Sequence, residues 1–138
     1  MAPWRESDIT RVRLAIRRRG FYNLGRMKHD SPITHSRSDL LRNKLVNQLL
    51  QAGAIKSKEV ERAFRKVPRH LFLHGFSLED VYSDFSLITK QIGVTPLTSS
   101  TQPSLMAAIL EILDLQKGQN VLEIGTGTGY NAALLSEL

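Results

Sequence analysis

"VLEIGTGTGYNAALLSEL", residues 121–138, decides how this chain reads. A short apolar run, Val121, Leu122 and Ile124, meets glycines at 125, 127 and 129, and a helix-forming stretch follows from Tyr130. An apolar run of this length bounded by turn residues predicts a buried-type strand over "NVLEIG". Strand, glycine turn and helix open a nucleotide-binding α/β unit. There the glycines permit positive φ and let a ligand approach the backbone without a Cβ in the way.

Three kinds of glycine loop compete for this stretch. A phosphate-binding P-loop needs Lys-Ser/Thr after its last glycine, and Tyr130-Asn131 stand there instead. A dinucleotide fingerprint requires G-x-G-x-x-G. Gly125, Gly127 and Gly129 give G-x-G-x-G with Tyr130 at the third required position, which disfavours that reading while leaving it open. The third kind carries an acid two residues before the first glycine, as Glu123 does in Glu123-Ile124-Gly125-Thr126-Gly127-Thr128-Gly129. This arrangement resembles the first motif of S-adenosylmethionine-dependent methyltransferases with a Rossmann-like fold. Glu123 can attract an ammonium, and backbone N–H groups near the helix start can receive a carboxylate. A turn that merely packs a helix on a strand remains the plain alternative.

The bulk properties fit one small domain: 138 residues, 41% hydrophobic. With no cysteine, disulfides and thiolate metal sites are ruled out. No apolar run approaches the roughly 20 residues that span a bilayer. The N-terminus lacks the apolar segment of a secretory signal, so a cytoplasmic protein without membrane association is expected. The net charge of +6 is local. Residues 1–37 hold nine cations (Arg5, Arg11, Arg13, Arg17, Arg18, Arg19, Arg26, Lys28, Arg37) against Glu6, Asp8 and Asp30, and the remainder balances. This segment reads as a basic, flexible extension, with Ile9, Val12 and Ile16 at helical spacing ahead of Gly20 and Gly25. A solvated arm, a contact for nucleic acid or an acidic partner, and an organellar address all fit it. Glu6 and Asp8 speak against the address.

Beyond the arm, "SRSDLLRNKLVNQLLQAG" predicts a helix capped by Ser38 or Asp39, with Leu41, Leu45 and Leu49 on one face and Gly53 closing it. "SKEVERAFRKVP" predicts a second helix: Ser57 caps, Val60 and Phe64 face inward, and Pro68 ends it. The stretch 69–100 reads as loops with a short hairpin. "TQPSLMAAILEILDLQKGQN" predicts the clearest helix, with Thr101 as cap, Pro103 in the first turn and Leu105, Ile109 and Ile112 buried. Glu111 and Asp114 are expected on its wet face and Phe64, Phe72 and Phe76 in the core; Arg69 and His70 could contact substrate, but the solvated surface is the expected place for them. His70 and His74 are four apart, but the context is not helical and lacks a third ligand, so no metal site is expected.

"VERAFRKVPRHLF" followed by "SSTQPSLMAAILEILDLQKGQNVLEIGTGTGYNAALLSEL" resembles the protein-L-isoaspartate O-methyltransferase family. The likeness rests on three separated elements in order: V-P-R-x-x-F, a T-I-S-x-P loop leading into a helix, and L-E-I-G-T-G-S-G-Y. It covers roughly Asp39 to Leu138 and leaves out the basic head. It implies methyl transfer from S-adenosyl-L-methionine to the free α-carboxylate of isoaspartyl residues in damaged proteins, followed by collapse of the ester to a succinimide. The resemblance places Glu123, Gly125, Thr126, Gly127, Thr128 and Gly129 at the cofactor. It puts Thr101 at the position of the family's loop serine near the substrate carboxylate, with Ser100 beside it. Ser100 replaces an apolar residue and "ITKQIGVTPLT" replaces a glycine-rich lead-in. The acceptor is therefore open between isoaspartyl and another protein or peptide carboxylate.

The expected fold class is α/β, with an N-terminal helical portion and the first β-α unit of a Rossmann-like methyltransferase sheet, incomplete in this chain. The expected organisation is a basic extension over 1–37, a helical and loop part with the substrate loop over 38–118, and the start of the cofactor-binding domain over 119–138. One sheet strand cannot stand alone, so either a longer protein continues the sheet or the chain is an inactive truncated relative. The alternative function is a non-catalytic binding module whose basic arm engages nucleic acid or protein.

Overall fold

The computed structural model describes residues 36–138; the basic extension, with the short amphipathic helix expected around Ile9, Val12 and Ile16, lies outside them apart from Ser36 and Arg37. The elements are α1 (Arg37–Gln51), α2 (Lys58–Lys66), a 3-10 turn (Arg69–Phe72), α3 (Leu78–Val81), β1 (Leu87–Ile92), β2 (Thr95–Ser100), α4 (Pro103–Leu113) and α5 (Tyr130–Glu137). Among the described residues no helix is long and apolar enough to cross a membrane.

Helix α1 starts earlier than Ser38 or Asp39. Ser36 is its N-cap, its Oγ accepting the Asp39 N–H at 3.3 Å. Asp39 is used three residues further on, in the first turn, where its charge meets the positive end of the helix and pairs with Arg42. Leu45 and Leu49 are buried as expected, Leu41 packs against the same core, and Gly53 follows the helix at φ 71°. Ser57 caps α2 through the Val60 N–H at 3.2 Å, and Val60, Ala63 and Phe64 face inward. Helix α5 docks against this face. Phe64 meets Tyr130 edge-on with centroids 6.3 Å apart, while Lys66 reaches Glu137 at 2.7 Å. Phe72 and Phe76 pack around the same core.

The expected hairpin forms from β1 and β2, antiparallel, with Leu87 opposite Ser100 and Ile92 opposite Thr95. The register shifts on either side of Lys90. This two-stranded ribbon is the only sheet among the described residues.

Three expectations fail here. The segment "NVLEIG" is not a strand, and Ile124 in it is 89% exposed. Its apolar residues suit a strand, but an extended segment needs a neighbour to take its N–H and C=O groups, and none among the described residues lies beside it. The second concerns α4. Its buried face is Pro103, Met106, Ala107 and Leu110; Leu105 and Ile109 are exposed, and Ile112 is 82% exposed. Both stripes recur at helical spacing, so periodicity alone does not select between them. The third is the α4 cap. Gln102 rather than Thr101 stands at the N-cap and makes no side-chain bond there. Asp84 supplies the missing acceptor from 20 residues away, its Oδ1 taking the Ser104 N–H at 2.7 Å.

Two surface assignments also change. Glu111 is half-buried, and its Oε1 accepts from the Lys56 and Ser57 N–H groups, both at 2.9 Å, and from Ser57 Oγ at 3.0 Å. Burial pushes its carboxyl pKa up, but these three donors outweigh that and hold it below the usual glutamate range. Arg69 is only 1% exposed rather than solvated. Asp114 does remain exposed, closing α4 at φ 42°.

Candidate functional site

The end of β2, the first turns of α4 and the glycine loop enclose a cavity of about 140 Å³. Its lining combines Ser99, Ser100 and Thr101 with Met106 and Ile109, and with Glu123, Gly125 to Thr128, Tyr130 and Asn131. The two groups of residues singled out in the sequence therefore meet at one place, although more than 20 residues of chain separate them. The N-terminal half of α4 bridges them, which is why its buried face matters to the site.

On the glycine-loop side, Gly125, Gly127 and Gly129 have φ of 83°, 56° and 86°. A Cβ at Gly125 would meet nothing within 4 Å, and at Gly127 the nearest atom lies 3.8 Å away. Conformation rather than crowding selects glycine at these positions, since a side chain in the left-handed region strains the backbone. Gly129 does not line the cavity. It caps α5, its N–H bonding the Thr126 carbonyl at 2.9 Å, so it sets the direction in which the helix leaves the loop.

Glu123 divides its carboxylate between two tasks. Oε1 accepts the Asn131 Nδ2 donor at 2.7 Å, while Oε2 is buried and unpartnered. Across the cavity, Ser100 is 5% exposed and its Oγ also lacks a partner. Buried polar atoms are ordinarily satisfied, so two of them lining one cavity describe a place shaped for a polar guest. Glu123 is the only acid in the lining, which contains no Lys, Arg or His. Such a site can accept and orient polar groups, but it offers no strong base beside the hydroxyls.

Behind the cavity sits Arg69. Its Nη2 donates to the Thr101 carbonyl at 3.1 Å, and its Cζ lies 5.0 Å from the centroid of the Tyr130 ring. Burial pushes the guanidinium pKa below its ordinary value, while Tyr130 and Asp84 act in the opposite direction. The Tyr130 hydroxyl is pushed up, chiefly by burial, and stays neutral.

The sequence reading weighed Arg69 as a substrate contact but favoured the surface, and it missed Asp84, Tyr130 and Asn131 as parts of this neighbourhood. Arginine in a polar stretch ordinarily reads as surface. Nothing local in the sequence pairs Asn131 with Glu123 or Asp84 with α4.

Residues 40–138 match the family described as protein-L-isoaspartate(D-aspartate) O-methyltransferase. Similar curated proteins named protein-L-isoaspartate O-methyltransferase include one from Pyrococcus horikoshii, 43% identical over 93 residues, or 67% of this chain and 40% of that protein. One from Thermotoga maritima is 44% identical over 99 residues, covering 71% of this chain and 30% of that protein. A solved protein-L-isoaspartate O-methyltransferase structure superposes with a TM-score of 0.61 at 43% identity, over 70% of this chain and 30% of the other. The chain thus spans less than half the length of the relatives it matches.

Proposed function

Since this chain belongs to the protein-L-isoaspartate(D-aspartate) O-methyltransferase family, we propose that the protein methylates the free α-carboxylate of isoaspartyl residues in other proteins, with S-adenosylmethionine as cofactor. A backbone amide nitrogen of the substrate then displaces methanol from the ester to close a succinimide, and water can reopen this ring to ordinary aspartate, so the reaction is a repair. In this reading residues 38–118 carry the acceptor side of the site and residues 119–138 the cofactor side. A cytoplasmic location belongs to the same reading.

The observation that carries it is the single cavity joining Ser100 and Thr101 to Glu123 and the glycine loop. The residues fit the cofactor's amino-acid end. The unpartnered Glu123 Oε2 suits an ammonium, and the N–H groups at the start of α5 suit a carboxylate. At about 140 Å³ the cavity is smaller than a pocket for a whole drug-sized ligand, roughly 300 Å³ and upward. These residues therefore supply part of a cofactor site.

When bound, S-adenosylmethionine supplies a methyl group already activated on a sulfonium. An ionised carboxylate is itself a nucleophile and needs no general base, so the one lining carboxylate, Glu123, is left to the cofactor's ammonium. What remains for the chain is alignment and exclusion of water. The Ser100 and Thr101 hydroxyls orient the acceptor carboxylate. Glu123 and the loop N–H groups hold the donor, and Met106 and Ile109 form an apolar wall that limits solvent.

The test is calorimetry with S-adenosylhomocysteine and a methyl-transfer assay on the protein as its own cell produces it. An isoaspartyl peptide should be methylated and its normal aspartyl isomer left unmodified; equal modification of both would overturn the acceptor assignment. Gly127→Val should weaken S-adenosylhomocysteine binding by about 100-fold or more, because the β-branched residue cannot adopt φ 56° without reshaping the loop. Unchanged affinity would remove this loop from the cofactor site.

A further inference from the structure

Arg69 is the largest of the fully buried side chains, yet it is poorly satisfied for a charge. Among the described residues it makes one hydrogen bond, to the Thr101 carbonyl at 3.1 Å, while Nε and Nη1 have no partner there. It also stacks on the face of Tyr130, 5.0 Å from guanidinium carbon to ring centroid. Asp84 acts on it only through space, being engaged with Ser104 N at 2.7 Å and Gln102 Nε2 at 3.3 Å. As a contribution to stability this is a weak arrangement, since an apolar side chain of similar volume would fill the space without burying a charge.

The hydrogen bond to Thr101 and the stacking on Tyr130 fall on opposite sides of the site. Thr101 ends the segment that brings Ser100 to the cavity and lies two residues before α4. Tyr130 is the first residue of α5, directly after the glycine loop. Phe64 and Phe72 confine the Tyr130 ring, with centroids at 6.3 and 5.7 Å, so that ring is a firm anchor. A planar guanidinium is suited to both tasks at once, donating in its plane and stacking through its face.

We propose that Arg69 is a positioning residue: it ties the Ser100–Thr101 segment to the start of α5, so that the acceptor hydroxyls and the glycine loop keep one relative placement. The inference rests on the function proposed above for what the placement achieves, but the tie itself is a property of the fold. It acts through the Thr101 carbonyl and Tyr130, with no contact to the reacting groups.

Hydrogen exchange on the complete, ligand-free protein tests the tie directly. In Arg69→Met, amides of 99–104 and 126–132 should both lose protection, by about tenfold or more, while α1 keeps its own. Arg69→Lys retains the charge but loses the flat face, and it should show the same paired loss at smaller size; it also serves if the methionine variant does not fold. A change in one segment alone, or in neither, would overturn the proposal. In turnover, Arg69→Met should lower kcat on an isoaspartyl peptide by about tenfold or more, with S-adenosylhomocysteine affinity within about threefold of the parent. Equal loss of kcat and affinity would mean a general structural role instead. If the parent protein neither binds S-adenosylhomocysteine nor methylates, the proposed function falls and the exchange experiment still decides the tie.

Discussion

Thr101 shows how much one residue's placement depends on others. The residue lines the cavity beside Ser100, while its carbonyl accepts from Arg69 at 3.1 Å. Compared with a serine it adds a methyl group and a stiffer χ1, so the hydroxyl has fewer directions available once the backbone is held. If it orients the acceptor, Thr101→Ala should reduce kcat by about tenfold to 100-fold and leave S-adenosylhomocysteine affinity within about twofold. Steady-state kinetics on an isoaspartyl peptide beside calorimetry checks this, and Thr101→Ser should recover most of the lost rate. Parallel loss of turnover and affinity would argue against an acceptor-side role. The hydroxyl was visible in the sequence as a candidate. The Arg69 bond to the Thr101 carbonyl was not, because it joins residues 32 apart.

At the scale of elements, the helices divide by how local their determinants are. The caps of α1 and α2 depend on hydroxyls within three residues, and the sequence marked both helices, missing the first cap by two residues. The start of α2 also receives a long-range contribution, from Glu111 on α4 to the Lys56 and Ser57 donors. Because the folded Glu111 pKa is lowered, its contribution is fully present above the ordinary value of 4.5 and is lost as pH falls through the lower folded value. Glu111→Gln should therefore cost about 1 kcal/mol at pH 7, with the difference from the parent shrinking as the pH drops below that ordinary value. Urea unfolding of both proteins at a series of pH values measures the gap. A gap independent of pH would mean that the charge on Glu111 contributes nothing. For α4 the sequence located the helix and mistook its face, because apolar residues lie on both sides of it.

Across the whole molecule, the second face of α4 and the 121–124 segment leave apolar surface open to solvent. Leu105, Ile109, Ile112, Val121, Leu122 and Ile124 are all exposed, an unusual load for a chain this short. The 138-residue chain on its own should bind a hydrophobic dye and self-associate with rising concentration. The pair Ile112→Glu and Leu122→Lys should cut dye binding by about half, with stability changed by no more than about 0.5 kcal/mol, since neither side chain is in the core. Fluorescence titration and sedimentation check both. Unaltered dye binding would place the sticky surface elsewhere.

By itself the sequence determined what is settled within a few residues: the Ser57 cap of α2, the ends of α1 and α2 at Gly53 and Pro68, the hairpin, and a glycine loop whose backbone angles only glycine adopts comfortably. It also carried the three spaced elements that pointed to the family. The tertiary structure alone decided which stripe of α4 is buried, that 121–124 forms no strand among the described residues, that Asp84 caps α4, and that Arg69 lies inside. The division has one physical cause. Local hydrogen bonds and torsional preferences act between near neighbours in the chain, whereas burial and strand pairing depend on which distant segments come to lie alongside.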